Sequence, residues 1–90
     1  MSTVWIPQVL RANVGGAKTV EVDGSTVGDV VRALVERHPA LGGQLFTPDG
    51  ELNRFVNVYV DGQDVRYLQG LDTPVGSGGD VRILPAMAGG

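Results

Sequence analysis

The 90-residue sequence predicts an α+β fold, a mixed sheet of four to five strands crossed by one main helix, with a flexible tail ending on two glycines. Three observations lead there. Near both ends apolar residues alternate with polar ones, as in strands with one buried face. Between residues 27 and 35 the apolar spacing becomes that of a helix. Turn signals between these segments divide the chain into strand, strand, helix, strand, strand, strand.

Residues 3–10 carry Val4, Ile6, Val9 and Leu10 around Pro7. They predict a first strand, interrupted or bulged at the proline because proline has no N–H to give to a ladder. The turn at 13–16, Asn-Val-Gly-Gly, leads to a second strand at 18–22 with Val20 and Val22 on one face. The two together predict an N-terminal hairpin.

Val27, Val30, Val31, Leu34 and Val35 fall at i, i+3, i+4, i+7 and i+8 and form one stripe of an amphipathic helix. Thr26 with Asp29 three residues on has the form of a capping box, which satisfies free N–H groups of the first turn. Arg37 and His38 suit the negative end of the helix dipole, and Pro39 forbids continuation. Residues 40–54 are irregular, with Leu45 and Phe46 expected to anchor a short helical turn on the core. Residues 55–60, Phe-Val-Asn-Val-Tyr-Val, alternate cleanly, and Asp61-Gly62 is a two-residue hairpin signal leading to a short strand at 64–66. A turn-rich link follows, and residues 80–84 form the last strand with Val81 and Ile83 on one face.

A hairpin followed by one long helix closes its core by laying the helix across the sheet, which is the β-grasp, ubiquitin-like arrangement. In it the first and last strands lie side by side and parallel at the centre. The division is a domain at 1–85 and a tail at 86–90, with Pro85 expected to mark the release of sheet pairing.

Ninety residues support one modest core and leave little chain for a deep enclosed active site. An apolar fraction of 42% with 19% charged residues argues for a folded domain. The net charge of −3, without a basic cluster, argues against nucleic acid as partner. The absence of cysteine excludes a disulfide framework, cysteine-ligated zinc and a thiol nucleophile on this chain. No basic leader and no run of about 18 apolar residues occurs, so no membrane association and a cytoplasmic location are expected.

No set of residues reads as a catalytic centre or a metal site. His38, the single histidine, precedes a helix-ending proline, where a surface residue suited to the dipole is favoured over a catalyst. Asp61, Asp64 and Asp72 sit in turns, as turn chemistry alone predicts. The Gly-Ser-Gly-Gly run at 76–79 lacks the lysine of a phosphate loop and precedes a strand. The end of the chain is different. A segment without side chains can thread a narrow channel in a partner, and the terminal carbonyl carbon of Gly90 is unhindered. A free carboxylate is a poor electrophile and needs activation, most economically as an acyl-adenylate made from ATP. Frayed termini are also commonly small and polar, which is the plainer account of a Gly-Gly end.

Residues 26–41, residues 54–66 and the ending at 79–90, Gly-Asp-Val-Arg-Ile-Leu-Pro-Ala-Met-Ala-Gly-Gly, together resemble the small sulfur carriers of the ThiS and MoaD type in the ubiquitin-like superfamily. Arg-Phe-Val-Asn-Val-Tyr-Val and Ile-Leu-Pro-Ala-Met-Ala-Gly-Gly most resemble the CysO branch, associated with cysteine biosynthesis. The resemblance implies a carrier that acts as a cosubstrate and is not itself an enzyme. A ubiquitin-activating-type adenylating enzyme, using Mg-ATP, would adenylate the carboxylate of Gly90, and a sulfur donor would convert it to a thiocarboxylate. A sulfur-accepting synthase would then take the sulfur; in the CysO branch this is a pyridoxal-phosphate cysteine synthase, followed by a metalloprotease that trims the product. Thiazole, molybdopterin and secondary-metabolite pathways are served by other carriers of this shape. The resemblance gives Ala86, Met87, Ala88 and Gly89 the threading role, with Met87 the bulkiest. A ubiquitin-like modifier joined to lysines would need the same adenylation and is the alternative function.

A carrier gripped by successive enzymes needs an apolar patch where a monomer would prefer polar groups. If Val56, Val58 and Val60 face the helix, Phe55 and Tyr59 face out; Leu84 and Trp5 do so by the same alternation. Trp5, Phe55, Tyr59 and Leu84 are therefore the expected docking patch, against the plainer reading that single exposed apolar side chains are ordinary.

Overall fold

A computed structural model of the chain describes residues 1–85. It contains one five-stranded sheet in the order β2-β1-β5-β3-β4, formed by β1 (Ser2–Trp5), β2 (Thr19–Val22), β3 (Val56–Val60), β4 (Gln63–Asp64) and β5 (Asp80–Pro85). β1 runs parallel to β5, with Val4 opposite Val81 and Trp5 opposite Arg82. The other pairs are antiparallel. One long helix, α1 (Val27–Arg37), crosses one face, and the short α2 (Gly42–Leu45) packs beside it. The β-grasp expected from the element order is the fold.

The core forms where the strand and helix periods meet. Val4, Val20, Val22, Val58, Val81 and Ile83 from the sheet close on Val27, Val30, Val31 and Leu34 of the helix. Val35, the last residue of the predicted stripe, is partly buried against the same cluster. Thr26 caps α1, with its Oγ1 accepting from Asp29 N at 3.1 Å, while Asp29 Oδ2 accepts from Ser25 N at 3.4 Å. The reciprocal bond thus reaches one residue before the cap, a variant of the expected box. Gly24 just ahead of it has no room for a side chain: an added Cβ would lie 2.7 Å from the backbone nitrogen of Val30.

The first strand is shorter than expected. β1 stops at Trp5, and from Pro7 the chain turns into a 3-10 helix at Gln8–Val14. Pro7 cannot donate to a ladder, while Leu10 N bonds Pro7 O and Arg11 Nε bonds Ile6 O, so the local bonds replace pairing. Leu10 and Val14 enter the core from this turn. β1 and β2 do pair as an antiparallel hairpin, joined by that 3-10 segment.

β3 begins at Val56, one residue later than expected, because Phe55 N donates to Asn53 Oδ1 at 2.9 Å and Phe55 belongs to a turn. Asp61 (φ 50°) and Gly62 (φ 89°) make the tight hairpin with two left-handed residues. β4 is Gln63–Asp64, not 64–66: Asp64 Oδ1 accepts from Arg66 N at 2.9 Å and turns the chain into a 3-10 segment. β5 is described through Pro85, which pairs opposite Val56; the expected release of pairing beyond it falls outside the described residues. None of the described helices is long and apolar enough to cross a membrane.

Candidate functional site

β5 lies between β1 and β3, and its residues alternate between the two faces of the sheet. Val81 and Ile83 point to the helix; Arg82 and Leu84 point to the other, open face. Pairing then fixes which residues meet there. Arg82 lies opposite Trp5 on one side and Tyr59 on the other. Leu84 lies opposite Asn57.

Three of the four expected patch residues therefore share the middle of the open face. Trp5 is 39% exposed, Leu84 is 43% exposed and Tyr59 is half-buried. Arg82 stands between the two aromatic residues: its guanidinium carbon is 4.5 Å from the Trp5 ring centroid, and its Nε donates to Asp80 Oδ2 at 3.1 Å. The apolar patch has a stacked cation at its centre.

Phe55 sits elsewhere. It is 55% exposed in the turn before β3 and lines a hollow of about 230 Å³ with Pro7, Val9, Leu10, Ile83 and Pro85. Ile83 points to the helix side, so Phe55 belongs to the rim of the sheet at the end of β5, and the Arg54 guanidinium carbon lies 5.2 Å from the Phe55 ring centroid. The turn that delays β3 breaks the alternation that would have aligned Phe55 with Tyr59.

Two arginines were not named from the sequence. Arg82 was accessible to the same alternation that turned Leu84 outward. Arg66 was not: it extends from the 3-10 turn after β4 back over β3, donating from Nη1 to Asn57 Oδ1 at 2.7 Å and from Nη2 to Asn53 O at 3.0 Å. Farther along the face Thr3 Oγ1 donates to the Glu21 carboxylate at 2.8 Å.

The turn carboxylates hold structure. Asp61 Oδ1 accepts from Asp80 N at 3.2 Å, and Asp64 caps the turn described above. His38 is half-buried at the end of α1, its N–H bonded to Leu34 O. Among the described residues no group of three or more histidine, aspartate or glutamate side chains has a metal-binding arrangement. Ala86, Met87, Ala88, Gly89 and Gly90 lie outside the described residues.

Comparison with known proteins is consistent across sequence and structure. The sequence matches the ThiS family over residues 4–90. It is 44% identical over 90 residues to the sulfur carrier protein CysO of Mycobacterium tuberculosis, covering 98% of this chain and 97% of that one. It is 41% identical over 68 residues to small archaeal modifier protein 3 of Haloferax volcanii, 76% of this chain and 73% of the other. A chain in the crystal structure of the Amycolatopsis orientalis BexX/CysO complex superposes with a TM-score of 0.91 at 42% identity, with both chains covered completely.

Proposed function

The chain belongs to the ThiS family, and on that premise we propose that it is a sulfur carrier whose reactive group is the carboxylate of Gly90. One observation carries the reading. The central strand β5 runs through Pro85 directly into the sequence Ala-Met-Ala-Gly-Gly, and the family match continues to residue 90. A strand flanked by β1 over Asp80–Arg82 and held by β3 through Pro85 gives the reactive end a fixed origin, and the open face beside it gives partners a surface to read.

In the proposed cycle an adenylating enzyme of the ubiquitin-activating type docks on this face and binds Mg-ATP. A Gly90 carboxylate oxygen attacks the α-phosphate; the bond to the β-phosphate breaks and pyrophosphate leaves. Sulfide, free or delivered as an enzyme persulfide with a reductant for its second sulfur, attacks the acyl carbon and expels AMP, leaving a thiocarboxylate. Ala86, Met87, Ala88 and Gly89 thread the end into the enzyme. The thiocarboxylate then gives its sulfur to a synthase; in the CysO-like version this is a pyridoxal-phosphate cysteine synthase, with a metalloprotease releasing the product. Trp5, Tyr59 and Leu84 with Arg82 are the docking patch, and Phe55 contributes from the rim near Pro85.

The carrier would work in the cytoplasm, as cosubstrate to these enzymes. The test is intact mass after incubation with the adenylating enzyme, Mg-ATP and sulfide. Exchange of one carboxylate oxygen for sulfur adds about 16 mass units by elementary stoichiometry, and the gain disappears when Gly90 is deleted. No gain under turnover conditions refutes the reading. The identity to an archaeal modifier protein favours one second reading, conjugation of Gly90 to lysines; lysine-linked adducts in the same mass measurement would support it.

A further inference from the structure

We propose that Arg66 is an ionic anchor for the enzymes that dock on the open face, taking a carboxylate that the partner presents beside the apolar patch. The proposal rests on the docking reading above. Its basis is an unusual combination at one residue. Both terminal nitrogens of Arg66 are held by neutral acceptors, Asn57 Oδ1 and Asn53 O, and no carboxylate among the described residues lies within ion-pair distance of it. Arg82, by contrast, is already paired with Asp80.

Position supplies the second part. Asn57, under the Arg66 guanidinium, is the register partner of Leu84, and neighbouring strands lie about 4.8 Å apart. The unpaired charge therefore stands next to the most exposed apolar residue of the central strand's open face, one residue before Pro85, the last described residue. Arg11 and Arg37 also donate to backbone carbonyls, of Ile6 and Glu21, but neither stands beside the patch.

A guanidinium held by neutral acceptors keeps its full charge and further N–H donors, in a fork that matches a carboxylate. The fold has already ordered the side chain, so a carboxylate meeting it does not have to immobilise a free arginine. The chain's net charge is −3, so its overall field favours basic surfaces, and a local cation selects the orientation in which a partner's aspartate or glutamate lies over Asn57 and Leu84. The fitting partner surface is an apolar contact flanked by at least one acidic side chain.

Arg66 also ties the segment after β4 to β3, so the experiment must separate a tie from an anchor. The probe is purified BexX of Amycolatopsis orientalis, whose complex with CysO is the structural relative described above. Its dissociation constant is measured for the full-length chain and for Arg66→Glu, Arg66→Lys and Asn57→Asp, across a salt series. Circular dichroism and urea midpoints verify folding. Asn57→Asp is the discriminating variant: it retains the tie, now as an ion pair, while neutralising the charge offered to the partner. An anchor predicts binding weaker by about tenfold or more for Arg66→Glu and several-fold weaker for Asn57→Asp, a smaller loss for Arg66→Lys, and a shallower salt dependence in the two charge-altering variants. Wild-type binding with affinities and salt slopes unchanged in Arg66→Glu and Asn57→Asp overturns the anchor alone. A wild-type chain that fails to bind BexX overturns the docking premise and the anchor with it, while the mass gain at Gly90 stands or falls separately.

Discussion

Trp5→Ala offers the sharpest measurement of what the patch is worth. A tryptophan carries about 150–250 Å² of surface, and the 39% left exposed amounts to roughly 60–100 Å². At about 25 cal/mol per Å², covering it with a partner contributes about 1.5–2.5 kcal/mol, or about 10- to 70-fold in dissociation constant. The Arg82 stack at 4.5 Å exists before binding, so its loss enters stability and largely cancels from affinity. Titration calorimetry against the adenylating enzyme, on chains shown to be folded at the working temperature, reads the affinity term alone. Glu36→Ala, an exposed position on α1 on the opposite side of the sheet, is the control and should bind as wild type. Trp5→Ala binding within twofold of wild type would refute the assignment of Trp5 to the interface.

Leu34→Ala, at a fully buried position of α1, should lose about 3 kcal/mol or more of stability in urea unfolding, a large part of the roughly 5–13 kcal/mol available to a chain of this size. Thr26→Ala removes the helix cap at 3.1 Å and should cost about 1 kcal/mol by the same assay. Gly24→Ala places a methyl 2.7 Å from the Val30 backbone nitrogen, which no side-chain rotation relieves; a loss of about 1–3 kcal/mol in the urea midpoint is expected. Deleting Gly89 and Gly90 should leave that midpoint unchanged, because among the described residues the core cluster already closes between Val4 and Ile83, while abolishing the mass gain of about 16 units that sulfur-for-oxygen exchange produces.

The helix was legible because three independent signals coincide within fourteen residues: the valine and leucine stripe, the Thr26 cap and Pro39. The first strand was overextended because Val9 and Leu10 continue an apolar run that looks the same whether it pairs or coils. Only Leu10 is buried; Val9 stands 71% exposed at the edge of the hollow, and the sequence does not distinguish them. Asp64 shortened β4 by capping the turn with its own side chain, an event that depends on a single hydrogen bond. At the candidate site, alternation alone placed Trp5, Tyr59 and Leu84 on one face. Their central neighbour Arg82 depends on register between strands 77 residues apart, and Arg66 on a turn whose direction has no periodic signature. Face membership is local information, whereas who stands next to whom on that face is not.

The arrangement also limits where the chemistry can occur. Because β5 pairs with β1 over Asp80–Arg82 and with β3 as far as Pro85 opposite Val56, an enzyme that grips Trp5, Arg82 and Leu84 fixes the position of Pro85 through the sheet. From there five residues remain to Gly90, and a fully extended chain spans at most about 3.3–3.6 Å per residue, so the reactive carbon lies no more than about 18 Å from the end of the sheet. On the proposed cycle, an adenylating partner therefore carries its reaction centre within that radius of its own docking face. Inserting glycines between Pro85 and Ala86 tests this bound without touching either end: binding to the partner should be retained, while the rate of adenylation falls as the effective concentration of Gly90 at the centre drops. An unchanged rate with several added glycines would mean that the threading channel, and not the grip on the sheet, positions the reactive end.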